Sequence, residues 1–343
     1  MSQAIPNKRQ SGALPATWRT YRLFGLTLAS DFPFANCIAP GGGAPHLTFT
    51  CAPVAPIASR WEQATPAYAS PYRTEDGASI AYLYRLDTCD VLRFTRVADF
   101  YLWPERIVCH LMDPVYDYLV EIYFLGPVLA FWLERQGIPA LHASAVVVAG
   151  RVAVFLSTNS GGKSALAATL MQAGHPLLSD DILPVELAHG TCVGRPGYPQ
   201  MRMWPDEAQH FLGHYEDLPQ VHPAYSKRRV LVGRDGFGSF CDEARPLACL
   251  YLPERYELAA EGADIAIMPV SRRDAMMELV RNSFAAGIAD AIGRQPQRLD
   301  FFAQMVRQVH MRRLVYPSGF EHLPRVRQAI LEDLARASQT GEQ

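Results

Sequence analysis

Short apolar runs broken by turn-forming residues fill the first third of the chain, at 21–28, 46–51, 79–85, 91–95, 100–103 and 106–112. Runs of this length, rich in β-branched and aromatic residues, predict strands. Together they predict an antiparallel β domain over 17–113, preceded by a disordered N-terminus at 1–16. The Pro- and Ala-rich stretch 52–72 reads as a long loop or an insertion between strands.

The pattern changes at 115–133, which is strongly apolar. Asp117 and Glu121 sit inside this stretch and Gly126 and Pro127 interrupt it, so a buried, kinked helix is expected instead of a membrane span. Its position just ahead of the next motif suggests that it packs beneath the core that follows.

Two β-branched runs at 141–148 and 151–156, joined at Ala149 and Gly150, read as a hairpin. The second run feeds into STNSGGKS at 157–164. Beyond Lys163 the apolar positions Leu166, Leu170 and Met171 recur at helical spacing, and Gly174 stands where a helix would end. A short strand then leads to Asp180 and Asp181, a strand pair turns at His189 and Gly190, and 195–223 reads as loop-rich. A strand at 264–270, a helix capped by Ser271 and running to about 285, a helix near 297–309, a strand at 310–316 and a closing helix at 324–337 complete a domain over 114–338.

With 343 residues, 49% of them hydrophobic, the chain has enough apolar surface for a full core. A formal net charge of −2 provides no global field for a polyanion, which argues against a nucleic-acid partner and makes any phosphate binding local. The seven cysteines form no C-x-x-C pair, so reduced structural thiols are expected. The opening MSQAIPNKRQSG lacks the apolar segment of a secretory signal, which points to a cytoplasmic protein with no membrane association.

The chemistry gathers around 157–164. Strand, glycine-rich loop and helix in that order make a P-loop, in which backbone N–H groups, the helix N-terminus and one lysine converge on phosphate oxygens. Asn159, Ser160, Gly161 and Gly162 would form the cradle, Lys163 would reach the β- and γ-phosphates of ATP, and the Ser164 hydroxyl would hold Mg2+. Ser157 stands where the usual pattern begins with glycine. Asp180 and Asp181, at the end of the next strand, can divide the work of binding Mg2+ and accepting a proton. A solvated turn pair is the plainer reading of two adjacent acids. His142 lies on the strand entering the hairpin, as a core histidine or as site lining. Arg195, Arg202 and the run Lys227, Arg228 and Arg229 are candidate partners for transferred charge, although each alone reads as a surface cation. GRDGFG at 233–238 lacks a following helix and reads as a turn.

Over 141–187 the sequence resembles the HPr kinase/phosphorylase family, particularly its HPr-kinase-like relatives, among them lasso-peptide precursor kinases. The ordered set of histidine, P-loop, Gly-His and Asp-Asp carries the resemblance; YRLFGLTLASDFPF and PGYPQMRMWPDEA are weaker matches to the flanks. It implies a mixed α/β fold whose P-loop kinase core, similar to that of ATP-dependent phosphoenolpyruvate carboxykinase, follows the antiparallel β domain. It implies Asp180 as catalytic acid/base, Asp181 as a supporting or metal-side acid with Ser164, and His142 and Lys163 as further catalytic residues. The segment by which true HPr kinases engage HPr is not found, so neither HPr nor phosphorylase activity is implied. The expected activity is an ATP- and Mg2+-dependent kinase acting on a hydroxyl, foremost a serine of a peptide or protein, with homo-oligomerisation left open. A small-molecule kinase, a nucleotide-binding sensor without transfer activity, and an ATPase that remodels a partner are the alternatives.

Overall fold

The computed structural model describes residues 17–35, 39–57, 59–157, 161–223, 225–257, 264–284 and 286–340. The expected disordered segment 1–16 lies outside them. The fold is mixed α/β, with two nine-stranded sheets and one three-stranded sheet.

The first sheet runs in space Ala39–Pro40, Arg19–Leu23, Leu26–Ser30, Leu47–Cys51, Arg106–Leu111, Ala98–Leu102, Asp90–Phe94, Ala81–Arg85 and Tyr68–Ala69. The expected purely antiparallel arrangement needs correction. Leu47–Cys51 is parallel to Leu26–Ser30 on one side and to Arg106–Leu111 on the other. Alternating burial marks a strand without giving its direction, and the connections 31–46 and 52–105 are long enough to return the chain to the same end of the sheet. Within 52–72, Trp61 is buried against Tyr84 and Tyr101 and covers one face of the sheet.

The other face carries the kinked helix. Asp117–Tyr123 and Leu129–Arg135 are joined by a wider turn at Phe124–Val128, where Gly126 leaves helical geometry at φ −100° and ψ −111° beside Pro127. By length and composition Pro114–Arg135 would suffice to cross a membrane, but here 61% of its 18-residue apolar window is buried within the fold. It packs on the first sheet, and not beneath the second as its position had suggested. Phe124 stacks on Phe49 at 3.8 Å and Tyr123 on Phe94 at 3.9 Å. Burying a phenylalanine in this way is worth about 1.5–3 kcal/mol, which fixes the helix to that sheet. Its last turn reaches the second half of the molecule. Arg294 Nη2 donates to the Arg135 carbonyl at 2.9 Å, and Glu134 pairs with Arg298 at 3.2 Å.

The second sheet runs Ala140–Leu141, Leu183–Ala188, Thr191–Gly194, Arg245–Tyr256, Arg151–Leu156, Ala143–Val148 and Leu177–Ser179, with His310–Pro317 parallel to Arg245–Tyr256 and Ala266–Pro269 outside it. The hairpin turn at Ala149 and Gly150 has φ of 49° and 78°, the two left-handed residues of a tight primed turn. Helix Lys163–Gln172 is buried on every side, packed between this sheet and the helix Leu323–Thr340 through Leu166, Leu170, Val326 and Ile330. It therefore cannot shift without disturbing the core.

The stretch 195–223, expected to be loop-rich, holds the strands Gln200–Met203 and Gln220–His222, and the helix Pro205–Leu212. The helix starts sharply because Pro205 opens it and Glu207 Oε2 accepts the Trp204 N–H at 2.9 Å. The two strands flank Tyr225–Leu231 in the three-stranded sheet.

Candidate active site

The strand Arg151–Leu156 ends where the glycine-rich segment 157–164 begins, and its neighbours Ala143–Val148 and Leu177–Ser179 bring His142, Ser144 and Asp180 alongside. Gly161, Gly162, Lys163 and Ser164 line a cavity of about 520 Å³ together with His142, Asp180 and Asp181. Asn159 and Ser160, the other two cradle candidates, lie outside the described residues.

Gly162 caps the helix in the left-handed region, at φ 81°, and as a glycine it offers no side chain to accept from the first turn. The N–H groups of a helix's first turn have no intrahelical partner and suit an anion. A Cβ at Gly162 would stand 2.7 Å from the Tyr316 hydroxyl. Gly162→Ala is therefore expected to lose about 1–3 kcal/mol from backbone strain, with a further loss of nucleotide affinity. Thermal unfolding and ATP titration of the purified variant would check both effects. Ser157 carries no such constraint: it is absent from the residues with positive φ, and its carbonyl accepts from Lys163 Nζ at 2.6 Å.

Lys163 is only 8% exposed. Burial pulls its ammonium below the ordinary lysine range, partly countered by Asp180 and Asp181. Its Nζ also lies 3.2 Å from His142 Nε2. A charged lysine must donate there, so His142 carries its proton on Nδ1, which stands 3.0 Å from the Asp181 carbonyl and donates to it. Burial, with Lys163 nearby, lowers the imidazole pKa against the pull of Asp181, which favours this neutral tautomer.

The two acids point apart because the chain kinks between them. Asp181 sits at φ 72°, and the Ile182 N–H folds back to the Asp180 carbonyl at 2.9 Å. Asp180 turns toward the start of the helix Lys163–Gln172. Its Oδ1 accepts from Ser144 Oγ at 2.5 Å and lies 3.4 Å from Ser164 Oγ, while Oδ2 accepts the Arg202 N–H at 2.8 Å. Asp181 turns the other way, with Oδ1 at 3.3 Å from His142 Nδ1 and Oδ2 at 2.7 Å from Arg202 Nη1. Burial would raise its pKa, but Arg202, His142, Lys227 and Lys163 outweigh that and hold the carboxyl below the usual range. The acid beside Ser164 is thus Asp180, whereas the resemblance paired Ser164 with Asp181.

Of the cations named from sequence, Arg202 and Lys227 line the cavity. Arg195 instead pairs with Glu186, Arg228 lies over Tyr215, and Arg229 bonds the Gln220 carbonyl. Ser144, Trp204, Asp206, Glu207 and Arg255 belong to the site or its lining without having been singled out. Ser144 had a usable signal, since strand alternation places it on the face of His142.

Among the described residues no group of three or more His, Cys, Asp or Glu could hold a metal ion. The side-by-side oxygens of Ser164 and Asp180 suit Mg2+, which commonly takes one or two protein oxygens and completes its shell with water and phosphate. The cavity lining includes Lys163, Arg202, Lys227 and Arg255 together with Asp180, Asp181, Asp206 and Glu207. With all eight ionised the lining carries no net charge, so a bound triphosphate would need an added cation or a protonated acid.

No family model matches this chain, and no curated protein matches it. Among solved structures it is similar to the Hpr(Ser) kinase/phosphatase from Coxiella burnetii, at 12% identity over 59% of this chain and 97% of that one, with a TM-score of 0.27. A likeness at that score is weak and carries no weight for function.

Proposed function

We propose that this chain is an ATP- and Mg2+-dependent kinase that transfers the γ-phosphate to a hydroxyl, foremost a serine of a peptide or protein. One observation carries the reading: a buried lysine, the N-terminus of the helix that Gly162 opens and a Ser164–Asp180 oxygen pair converge on one cavity. That combination supports binding of a metal-bound polyphosphate. Cavities of this size commonly enclose a small organic ligand, so the acceptor would present its hydroxyl at the rim.

Lys163 would lie against the β- and γ-phosphates, while His142 and the Asp181–Arg202 ion pair hold it and the surrounding backbone in place. Arg255 and Lys227 would receive charge from the phosphate tail. Ser164 and Asp180 would hold Mg2+, which supplies neutralisation of phosphate charge when bound. The acceptor oxygen forms a bond to the γ-phosphorus as the bridging bond to the β-phosphate breaks and ADP departs.

Incubation with radiolabelled ATP, Mg2+ and a serine-containing peptide library should label peptide, and the same library with serine replaced by alanine should not be labelled. Labelling of small hydroxylated metabolites instead would favour the small-molecule kinase. Tight ATP binding with transfer to no acceptor, water included, would sink the kinase reading in favour of a nucleotide sensor.

A further inference from the structure

The oxygens of Asp180 and Asp181 are all engaged. Asp180 accepts from two hydroxyls and a backbone N–H, and Asp181 is held between His142 and Arg202. The cations around Asp181 hold its carboxyl below the usual range, which makes it a weak base, and the oxygens of Asp180 already accept from three donors. A third carboxyl in the same cavity is arranged differently. Glu207, in the first turn of Pro205–Leu212, is 8% exposed. Its Oε2 accepts the Trp204 N–H, and among the described residues no hydrogen bond reaches Oε1.

We infer that Glu207 is the catalytic residue that takes the proton from the attacking hydroxyl, an inference that rests on the kinase reading above. It lines the same cavity as Lys163 and Ser164, and among the described residues no hydrogen bond engages its Oε1. In the step, the hydroxyl proton passes to Oε1 and the hydroxyl oxygen bonds to the γ-phosphorus. The bridging P–O bond breaks, its electron pair leaves with ADP, and Glu207 releases the proton to solvent after product departs.

The electrostatics agree with that role. Burial pushes the Glu207 carboxyl up to about 7; the Trp204 N–H and Lys227 pull it down, and Asp206 and Asp180 push it further up. Lys163 and the Tyr316 hydroxyl also feel its charge. A general base works best when its pKa lies near the working pH.

The test uses Glu207→Gln, whose amide oxygen can still accept the Trp204 N–H, so the helix start is preserved. With ATP, Mg2+ and either the serine peptide library or water as acceptor, kcat at neutral pH should fall by about 10²–10⁴-fold while ATP affinity stays nearly unchanged. The rising limb of kcat near pH 7 should vanish, and Glu207→Asp should recover part of the rate with a limb restored. Infrared titration of the full chain should show a protonated carboxyl band that disappears near pH 7 and is missing in the Gln variant. Wild-type transfer with an unaltered rate and pH profile in Glu207→Gln would overturn this inference alone, as would a Glu207 band titrating below about pH 5. Failure of the wild type to transfer phosphate to any acceptor would overturn the kinase reading and this inference with it.

Discussion

Lys163→Ala should reduce phosphate transfer by on the order of 10³-fold, the scale seen when one preorganised donor to developing charge is removed, in a chain that still folds. The side chain is anchored by the Ser157 carbonyl and His142 Nε2, at the first residue of a helix locked into the core. Alanine keeps that helix, since it is the best helix former. Stability should hold because burial holds the lysine pKa below its ordinary value. A group charged at neutral pH whose folded pKa is depressed is a net cost to the fold there, and alanine removes that cost. Thermal unfolding, ATP binding and transfer measured on one preparation separate the effects. Undiminished transfer in a folded variant would remove the P-loop assignment.

A loss of about 3–5 kcal/mol in unfolding free energy is expected for Arg298→Ala, the cost of leaving a buried charge without its partner. Arg298 and Glu134 are 1% and 2% exposed and join two helices from opposite halves of the molecule. Burial raises the Glu134 pKa, and Arg298 is the main influence pulling it back. Without the arginine the carboxyl is pushed up further, so the penalty is greatest above the folded pKa, where Glu134 must be ionised. It should shrink as the pH falls and the group takes up a proton. Urea unfolding at neutral and mildly acidic pH would show the trend. Glu134→Gln combined with Arg298→Met should recover most of the stability, because replacing both members of a buried pair is close to neutral. A small, pH-independent loss in the single variant would mean that water reaches the pair.

The hairpin and the helix that follows the glycine loop were legible because their signals are local: a β-branched run and helical spacing lie within a few tens of residues. Asp180, Asp181 and His142 were legible for the same reason, and the cavity brings them together. Their division of labour was not. It depends on the left-handed turn at Asp181 and on Arg202, which arrives from another sheet. Arg255 and Glu207 were out of reach for a related cause. The one sits at the end of a long strand whose neighbour carries Tyr316, the other in a helix eight residues long inside an apparent loop. The kinked helix was recognised from Gly126 and Pro127, but its packing partner was not, since an apolar stretch does not say which sheet it will cover. Ser157 looked anomalous as a residue type and is unremarkable as a backbone conformation.

The parallel placement of Leu47–Cys51 has a consequence during synthesis. Its second neighbour, Arg106–Leu111, leaves the ribosome only after some sixty further residues, roughly 3–12 s at ordinary elongation rates. Over that interval the apolar Leu47 and Phe49 lie on a strand with an open edge, the kind of surface that recruits chaperones or sticks to other nascent chains. The meander at 81–111 can form from hairpins alone, but Leu47–Cys51 can close against it only when that meander is complete. Slow translation through this stretch would therefore lengthen the exposure of the edge, and expression yield should respond to codon choice here more than in the P-loop hairpin.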